Sequence, residues 1–264
     1  MLFSRRRLRL IAWSIVHIKN WLSAIAGRLW RRPVDQVRFR IGLLLKMDVN
    51  AGDLQCMYEV FGDRFYDRYF SGIVANGNIL DIGGNIGTFT VRAARDLVPQ
   101  GKVISIEPNP QCLAVIREHL SMNSLSNVQT MGAAVTNEGD TVTLHVPLLR
   151  GGSTLFPGNP GTPLKGFLAI DVPTIHPRDV LRLAESFELV KVDCEGGEFS
   201  LLYETEPEDW RNIKRIALEY HIGFDRKYPM SPEQLRDRVE QFGLKVLVLQ
   251  PTSKVYGYLI AARA

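Results

Sequence analysis

The sequence predicts an α/β domain built on a doubly wound, mostly parallel seven-stranded sheet with one antiparallel strand, preceded by a basic amphipathic N-terminal helix. Three observations carry this. From about residue 46 short β-rich runs alternate with helical ones, as a parallel sheet with crossover helices requires. The stretch "ILDIGGNIGTFT" (79–90) passes from an apolar run through three glycines into a helical pattern. Near the C-terminus, "LKVLVLQ" and "KVYGYLIAA" are separated only by Pro251, Thr252 and Ser253, a connection too short for a parallel pair.

The chain divides by charge into an arm (1–45) and a main domain (46–264). Residues 1–40 hold ten Lys and Arg against Asp35 alone, a net of +9, so the remainder is acidic although the whole chain carries +4. The main domain therefore has no nucleic-acid footprint. In the arm, Leu8, Ile11, Ile15, Ile18, Leu22, Ile25 and Leu29 recur at steps of three and four, which puts them on one face of a single helix. Residues 5–32 suit an anionic membrane interface, with the apolar face down and cations on phosphates. A helix docked on its own domain, or on a second copy, is the alternative. His17, Lys19 and Asn20 interrupt the stretch short of a spanning helix.

The expected strands cover 78–82, 102–107, 128–133, 189–193, 215–219, 245–249 and 255–261, and the helices 87–97, 110–122, 197–204 and 232–241. Ser231 as N-cap, Pro232 at the first helical position and Gly243 past the end punctuate the last helix. Residues 147–169 are dense in Pro and Gly, hence a substrate-side lid or a loose insertion. Cys56, Cys112 and Cys194 have no CxxC pairing, which fits a reducing compartment and three small, semi-buried hydrophobes.

A glycine-rich turn after a strand lets backbone approach a ligand closely. Glu107 ends the next strand in "VISIEPNP", twenty residues after Gly87, where a carboxylate accepts both hydroxyls of an adenosine ribose. A dinucleotide would place its pyrophosphate on the helix N-terminus, yet Asp81 stands where the first fingerprint glycine would be. An acid there suits a cationic neighbour, such as the amino and sulfonium groups of S-adenosylmethionine, and repels a phosphate. A tight turn needs glycine in any case, and an acid at a strand end can simply cap a helix.

In order, "LDIGGNIGTFT", "VISIEPNP", "NSLSNV", "GGSTL", "VKVDCEGGEFSLL" and "IALEYH" resemble the motifs of the FkbM-type methyltransferases over roughly residues 59–222. That resemblance implies a Rossmann-like class I fold and O-methylation, from S-adenosylmethionine, of a hydroxyl on a saccharide, glycolipid or natural product. It departs at Thr174-Ile175-His176-Pro177, where the family usually reads T-L-D-D. Asp81, Gly83, Asn85 and Gly87 are assigned to the methionine end of the cofactor, Glu107 to the ribose and Ala133 to the adenine. Glu59, in "MYEVFGDRFYDRYF", resembles the segment that closes over the cofactor, an amphipathic docking helix being the alternative.

A hydroxyl acceptor must lose a proton, so a base is expected near the methyl. Asp193, Glu195 and His221 are the catalytic candidates, His221 as the imidazole for proton abstraction. Acids at 193, 195 and 198 could instead hold a divalent cation such as Mg²⁺. Glu195 and Glu198 could also cap the next helix, with Lys191 paired to one of them. Supply of the methyl donor places the enzyme in the cytoplasm, with the arm on the inner membrane face. The twin-arginine-like Ser4-Arg5-Arg6 and the small residues Ala24-Ile25-Ala26 speak less strongly for export. An NAD(P)-dependent oxidoreductase and a non-catalytic scaffold that keeps the pocket are the rival readings.

Overall fold

The computed structural model describes residues 5–30, 32–47, 53–63, 67, 70–147, 153–156, 166–224, 227, 228 and 231–263. The N-terminal segment folds as α1 (Arg5–His17), α2 (Trp21–Trp30), the hairpin β1 (Val34–Arg38) and β2 (Leu44–Met47), and α3 (Asp53–Tyr58). The main sheet starts with β3 (Asn78–Ile82), joined through α4 (Thr88–Arg92) to β4 (Lys102–Ile106) and through α5 (Pro110–Met122) to β5 (Val128–Met131). A side sheet follows, made of β6 (Ala134–Val135), β7 (Thr141–Pro147) and β8 (Phe167–Ile175). After α6 (Pro177–Val180) come β9 (Leu189–Val192), α7 (Glu198–Tyr203), β10 (Arg215–His221), α8 (Pro232–Gln241), β11 (Lys245–Pro251) and β12 (Tyr256–Ala262).

Among the described residues the main sheet has seven strands in the order β11-β12-β10-β9-β3-β4-β5. Only β12 runs antiparallel to its neighbours, β10 and β11, as the tight 251–253 connection predicts. Ile79, Leu80, Val103, Ile104, Val190 and Ile216 are fully buried, since helices cover both faces of a parallel sheet. From β3 the chain builds outward through β4 and β5, then returns to add β9 on the other side of β3. That reversal is the switch point at whose carboxyl ends open α/β sheets bind ligands. It falls between Ile82 and Val192.

Several expected elements differ. The strand expected over 128–133 stops at Met131, whose carbonyl accepts from the Glu107 amide, and Ala134–Val135 then pairs with β8. The helix expected over 87–97 is α-helical only to Arg92 and continues as a π-turn over Ala93–Leu97. The 147–169 insertion is flanked by β7 and β8, which pair antiparallel, and its residues 148–152 and 157–165 lie outside the described residues.

The arm is two helices rather than one. Ile18 leaves the helix to bridge Phe39, and the Lys19 amide donates to the Arg38 carbonyl at 2.7 Å. This tertiary pairing overrides the helical period and splits the expected stripe: Ile18 is fully buried, while Leu8, Ile15, Leu22 and Leu29 face outward. Leu10, Trp13 and Ala24 bury the opposite side against Phe39, Leu45, Met57 and Ile116, so arm and domain share one core. β2 crosses the expected boundary at residues 45–46. Trp13 meets the ring of Tyr58 edge-on at 5.5 Å and that of Phe39 at 5.9 Å. Trp13→Ala is expected to lower stability by about 3–5 kcal/mol, read as a fall in Tm; an unchanged Tm would mean that the arm is not docked. No described helix is long and apolar enough to cross a membrane.

Candidate active site

Two adjoining cavities open at the switch point, and Gly83, Asn85 and Asp193 line both. The first is walled by Glu107, Ala133, Ala134, Leu144 and Leu155. The second is bounded by Glu59, Asn85, Lys191, Asp193, Glu219 and Tyr258.

Backbone conformation builds the wall between them. Gly83 and Gly87 take φ near +80°, and Asn85 follows at +50°. A Cβ on Gly83 would strike the carbonyl of Asp193, so only glycine lets β3 and β9 end this close together. Across the loop, Glu107 accepts from the Asn85 amide at 2.7 Å and from the Asn109 amide at 2.8 Å. Burial pushes its carboxyl up to about 7 against the pull of those two donors. Asn109 also caps α5, its side chain accepting from the Gln111 amide at 3.0 Å.

Asp81 is placed otherwise than expected. It is fully buried beneath the loop, and Thr90 donates to it at 2.6 Å. The β3/β9 register sets Asp81 directly beside Lys191. The Lys191 ammonium lies 3.4 Å from Asp81 and 3.5 Å from Asp193, so it pairs with these acids and not with Glu195 or Glu198. Burial alone would pull this lysine down; Asp81, Asp193 and Glu219 more than reverse that and hold it charged.

Beyond β9 the turn is held by Glu198, which is completely buried. Its carboxylate accepts from the Cys194 amide at 3.1 Å and the Gly196 amide at 2.8 Å. This forces Glu195 into φ +51°, a left-handed conformation that costs a non-glycine residue about 1 kcal/mol or more. His221, at the end of β10, faces Glu198 through Nδ1 at 2.9 Å and Glu195 through Nε2 at 3.5 Å. Burial works against the imidazolium, yet Glu198, Glu195 and Asp193 raise it to about 10. While cationic, His221 has no lone pair with which to abstract a proton, so its charge favours a role in holding Glu195 and Glu198 over the expected role as base. Desolvation raises Glu195 to about 7, with His221 opposing and Asp193 adding to the rise. Glu219 is lifted to about 8, mainly by burial and then by Asp193.

Ligand atoms of Asp193, Glu219 and His221 lie within 4.8 Å of one another. Of the acids expected to hold Mg²⁺, Glu198 already serves two amides and His221, and Asp193 faces the Lys191 ammonium.

Sequence reasoning missed Tyr258 and gave Lys191 other partners. Lys191, Glu219 and Tyr258 come from β9, β10 and β12, and only their register brings them together. Glu219 and Tyr220, which the sequence allows either to line the acceptor pocket or to pack at a strand end, divide: Glu219 lines the second cavity and Tyr220 is buried in the main core. The described part of the insertion folds onto the site: Thr154 donates to the Glu195 carbonyl at 3.0 Å, and Ser153 meets Asn109 at 3.1 Å. All three cysteines border the cavities, Cys56 the second and Cys112 and Cys194 the first. Burial pushes Cys56 up to about 12 and raises Cys194 as well, leaving those thiols neutral.

The family model for the methyltransferase FkbM domain matches residues 81–246. Methyltransferase sdnD of Sordaria araneosa is 29% identical over 189 residues, 61% of this chain and 72% of that protein. The 31-O-demethyl-FK506 methyltransferase FkbM of Streptomyces tacrolimicus is 26% identical over 204 residues, 66% and 76% respectively. A SAM dependent methyltransferase from Aquifex aeolicus superposes with TM-score 0.44 at 13% identity, over 78% of this chain and 92% of that one. With its seven-stranded sheet, its glycine loop over Glu107 and this match across most of the main domain, the chain belongs to the FkbM family of S-adenosylmethionine-dependent methyltransferases.

Proposed function

We propose that the protein methylates a hydroxyl oxygen on a saccharide, glycolipid or other natural product. The observation that carries this is Glu195, on a left-handed backbone turn, its carboxyl raised to about 7 on the wall of the first cavity, beside Asp193 at the junction of the two.

The residues fit a nucleoside joined to a zwitterion. Glu107 would accept the ribose hydroxyls, and Ala133 with its apolar neighbours would flank the adenine. Asp193, Glu219 and Glu59 suit an ammonium, while Lys191 and the Asn85 end of the loop suit a carboxylate. Asp81 is then a positioning residue, acting through the lysine that it holds charged. Bound there, S-adenosylmethionine supplies a sulfonium-activated methyl carbon open to in-line displacement.

The chain's own contribution is to orient the acceptor and to remove its proton. Glu195 takes the hydroxyl proton on a carboxylate oxygen, which general-base catalysis makes worth about 10²- to 10⁴-fold. His221 keeps that carboxylate in place and favours its charged form. Leu144 and Leu155 keep water off the reacting side. A relative whose name specifies a 31-O-methylation supports oxygen as the acceptor atom.

The test is incubation with radiolabelled methyl donor and cell extract, followed by mass spectrometry of the labelled product. A methyl ether is expected. Label confined to nitrogen or sulfur would overturn the reading, as would tight binding of S-adenosylhomocysteine with no transfer, which the scaffold reading predicts. Calorimetry with NADH is expected to show no heat of binding; an NADH site would favour the oxidoreductase.

A further inference from the structure

We propose that the outward face of α1, α2 and the β1–β2 turn docks the protein on an anionic lipid surface. The inference concerns a part of the fold that the cavities do not use, and it stands whether or not the acceptor proves to be a hydroxyl.

Isolated exposed apolar side chains need no explanation, but a cluster does. Of the eleven large apolar residues exposed among the described residues, seven lie between residues 8 and 41. Leu8, Val16, Leu22, Leu29, Trp30 and Ile41 are each 54–72% exposed. They are what remains once the arm has docked: α1 and α2 bury Leu10, Trp13 and Ala24 on the domain and present a second apolar side to solvent. The elements that carry these side chains are tied together. The two helices pack on each other, and the Arg40 amide donates to the His17 carbonyl at 2.8 Å, which ties the turn carrying Ile41 to the end of α1.

Charge chooses the occupant. Arg9, Lys19, Arg28, Arg32, Arg38 and Arg40 are exposed on the same segment, and among the described residues none has a carboxylate within ion-pair distance. Asp35 is the single acid in the first forty residues. A second copy docked through the same face would bring these cations against their own equivalents, because a twofold contact pairs a patch with itself. A nucleic acid would answer the charge but leave the leucines in water. A bilayer with acidic headgroups answers both: phosphates meet the cations, the leucines enter the acyl boundary, and Trp30 sits at the interface level favoured by tryptophan.

The experiment is sedimentation of the full chain with vesicles of phosphatidylcholine alone and of phosphatidylcholine with phosphatidylglycerol. Wild type is expected to pellet with the anionic vesicles and to be released as salt is raised. Combined L22S, L29S and W30S should weaken vesicle binding by about tenfold or more, and so should R28E with R32E. Both variants replace exposed side chains, so an unchanged Tm and an unchanged affinity for S-adenosylhomocysteine show that the fold and the cavities are intact. Equal pelleting of wild type and both variants, pelleting with neutral vesicles alone, or no pelleting at all would overturn the proposal. So would a concentration-dependent dimer that the leucine and tryptophan changes abolish, which would assign the face to a second copy.

Discussion

Replacing Glu195 by glutamine is expected to lower kcat by about 10²- to 10⁴-fold, the usual worth of a general base, with little change in affinity for S-adenosylhomocysteine. Glutamine keeps the shape and one acceptor oxygen but cannot carry off a proton. The rate that survives would reflect proximity and alignment, which Glu195 does not supply. In wild type the base must be anionic, so kcat/KM should fall about tenfold per pH unit below about 7, where Glu195 takes up its proton, and level off above it. In the glutamine variant this limb disappears. His221→Asn makes a separate statement. The imidazolium lowers Glu195, so its loss should move the same limb to higher pH and leave it visible. An imidazole acting as base would behave the other way: its removal would erase the limb. Asp193 and Glu198 face the same groups and are unchanged in both variants.

Glu107→Ala should weaken binding of S-adenosylhomocysteine by about 10²-fold or more, since two hydrogen bonds to a charged group contribute about 1.5–3 kcal/mol each. Part of that loss would come from the loop, because the Asn85 and Asn109 amides both donate to this carboxylate and would be left without it. The two contributions separate by changing the ligand. Against wild type, an analogue lacking both ribose hydroxyls should bind nearly as poorly as the natural product binds the variant. Against the variant, that analogue and the natural product should bind alike. A wild-type protein indifferent to the hydroxyls would leave Glu107 a purely structural residue.

The parallel sheet, its antiparallel β12 and the glycine loop were legible because each rests on local pattern: buried apolar runs, a three-residue connection, glycines after a strand. The arm was misread because its break is not local. Nothing between Ser14 and Asn20 stops a helix; the pairing of Ile18 with Phe39, twenty-one residues on, does. Asp81 was read as facing a ligand because it stands at a strand end, yet only the β3/β9 register reveals Lys191 beside it and the burial beneath the loop. His221 carried the same blind spot. An imidazole in sequence looks like a base near neutrality, whereas Glu198 and Glu195, brought up from the turn after β9, turn it into a held cation. The side sheet left a faint trace in "TVTLHVP", whose alternation marks a strand, but no sequence signal ties Ser153, Thr154 and Leu155 to the cavity wall.

The most direct test of the central claim is the crystal structure of the protein with S-adenosylhomocysteine. The ribose hydroxyls are expected within hydrogen-bond reach of Glu107, with the adenine against Ala133 and the amino-acid end among Lys191, Asp193 and Glu219. A nucleoside bound elsewhere, or held with its ribose turned away from Glu107, would contradict it.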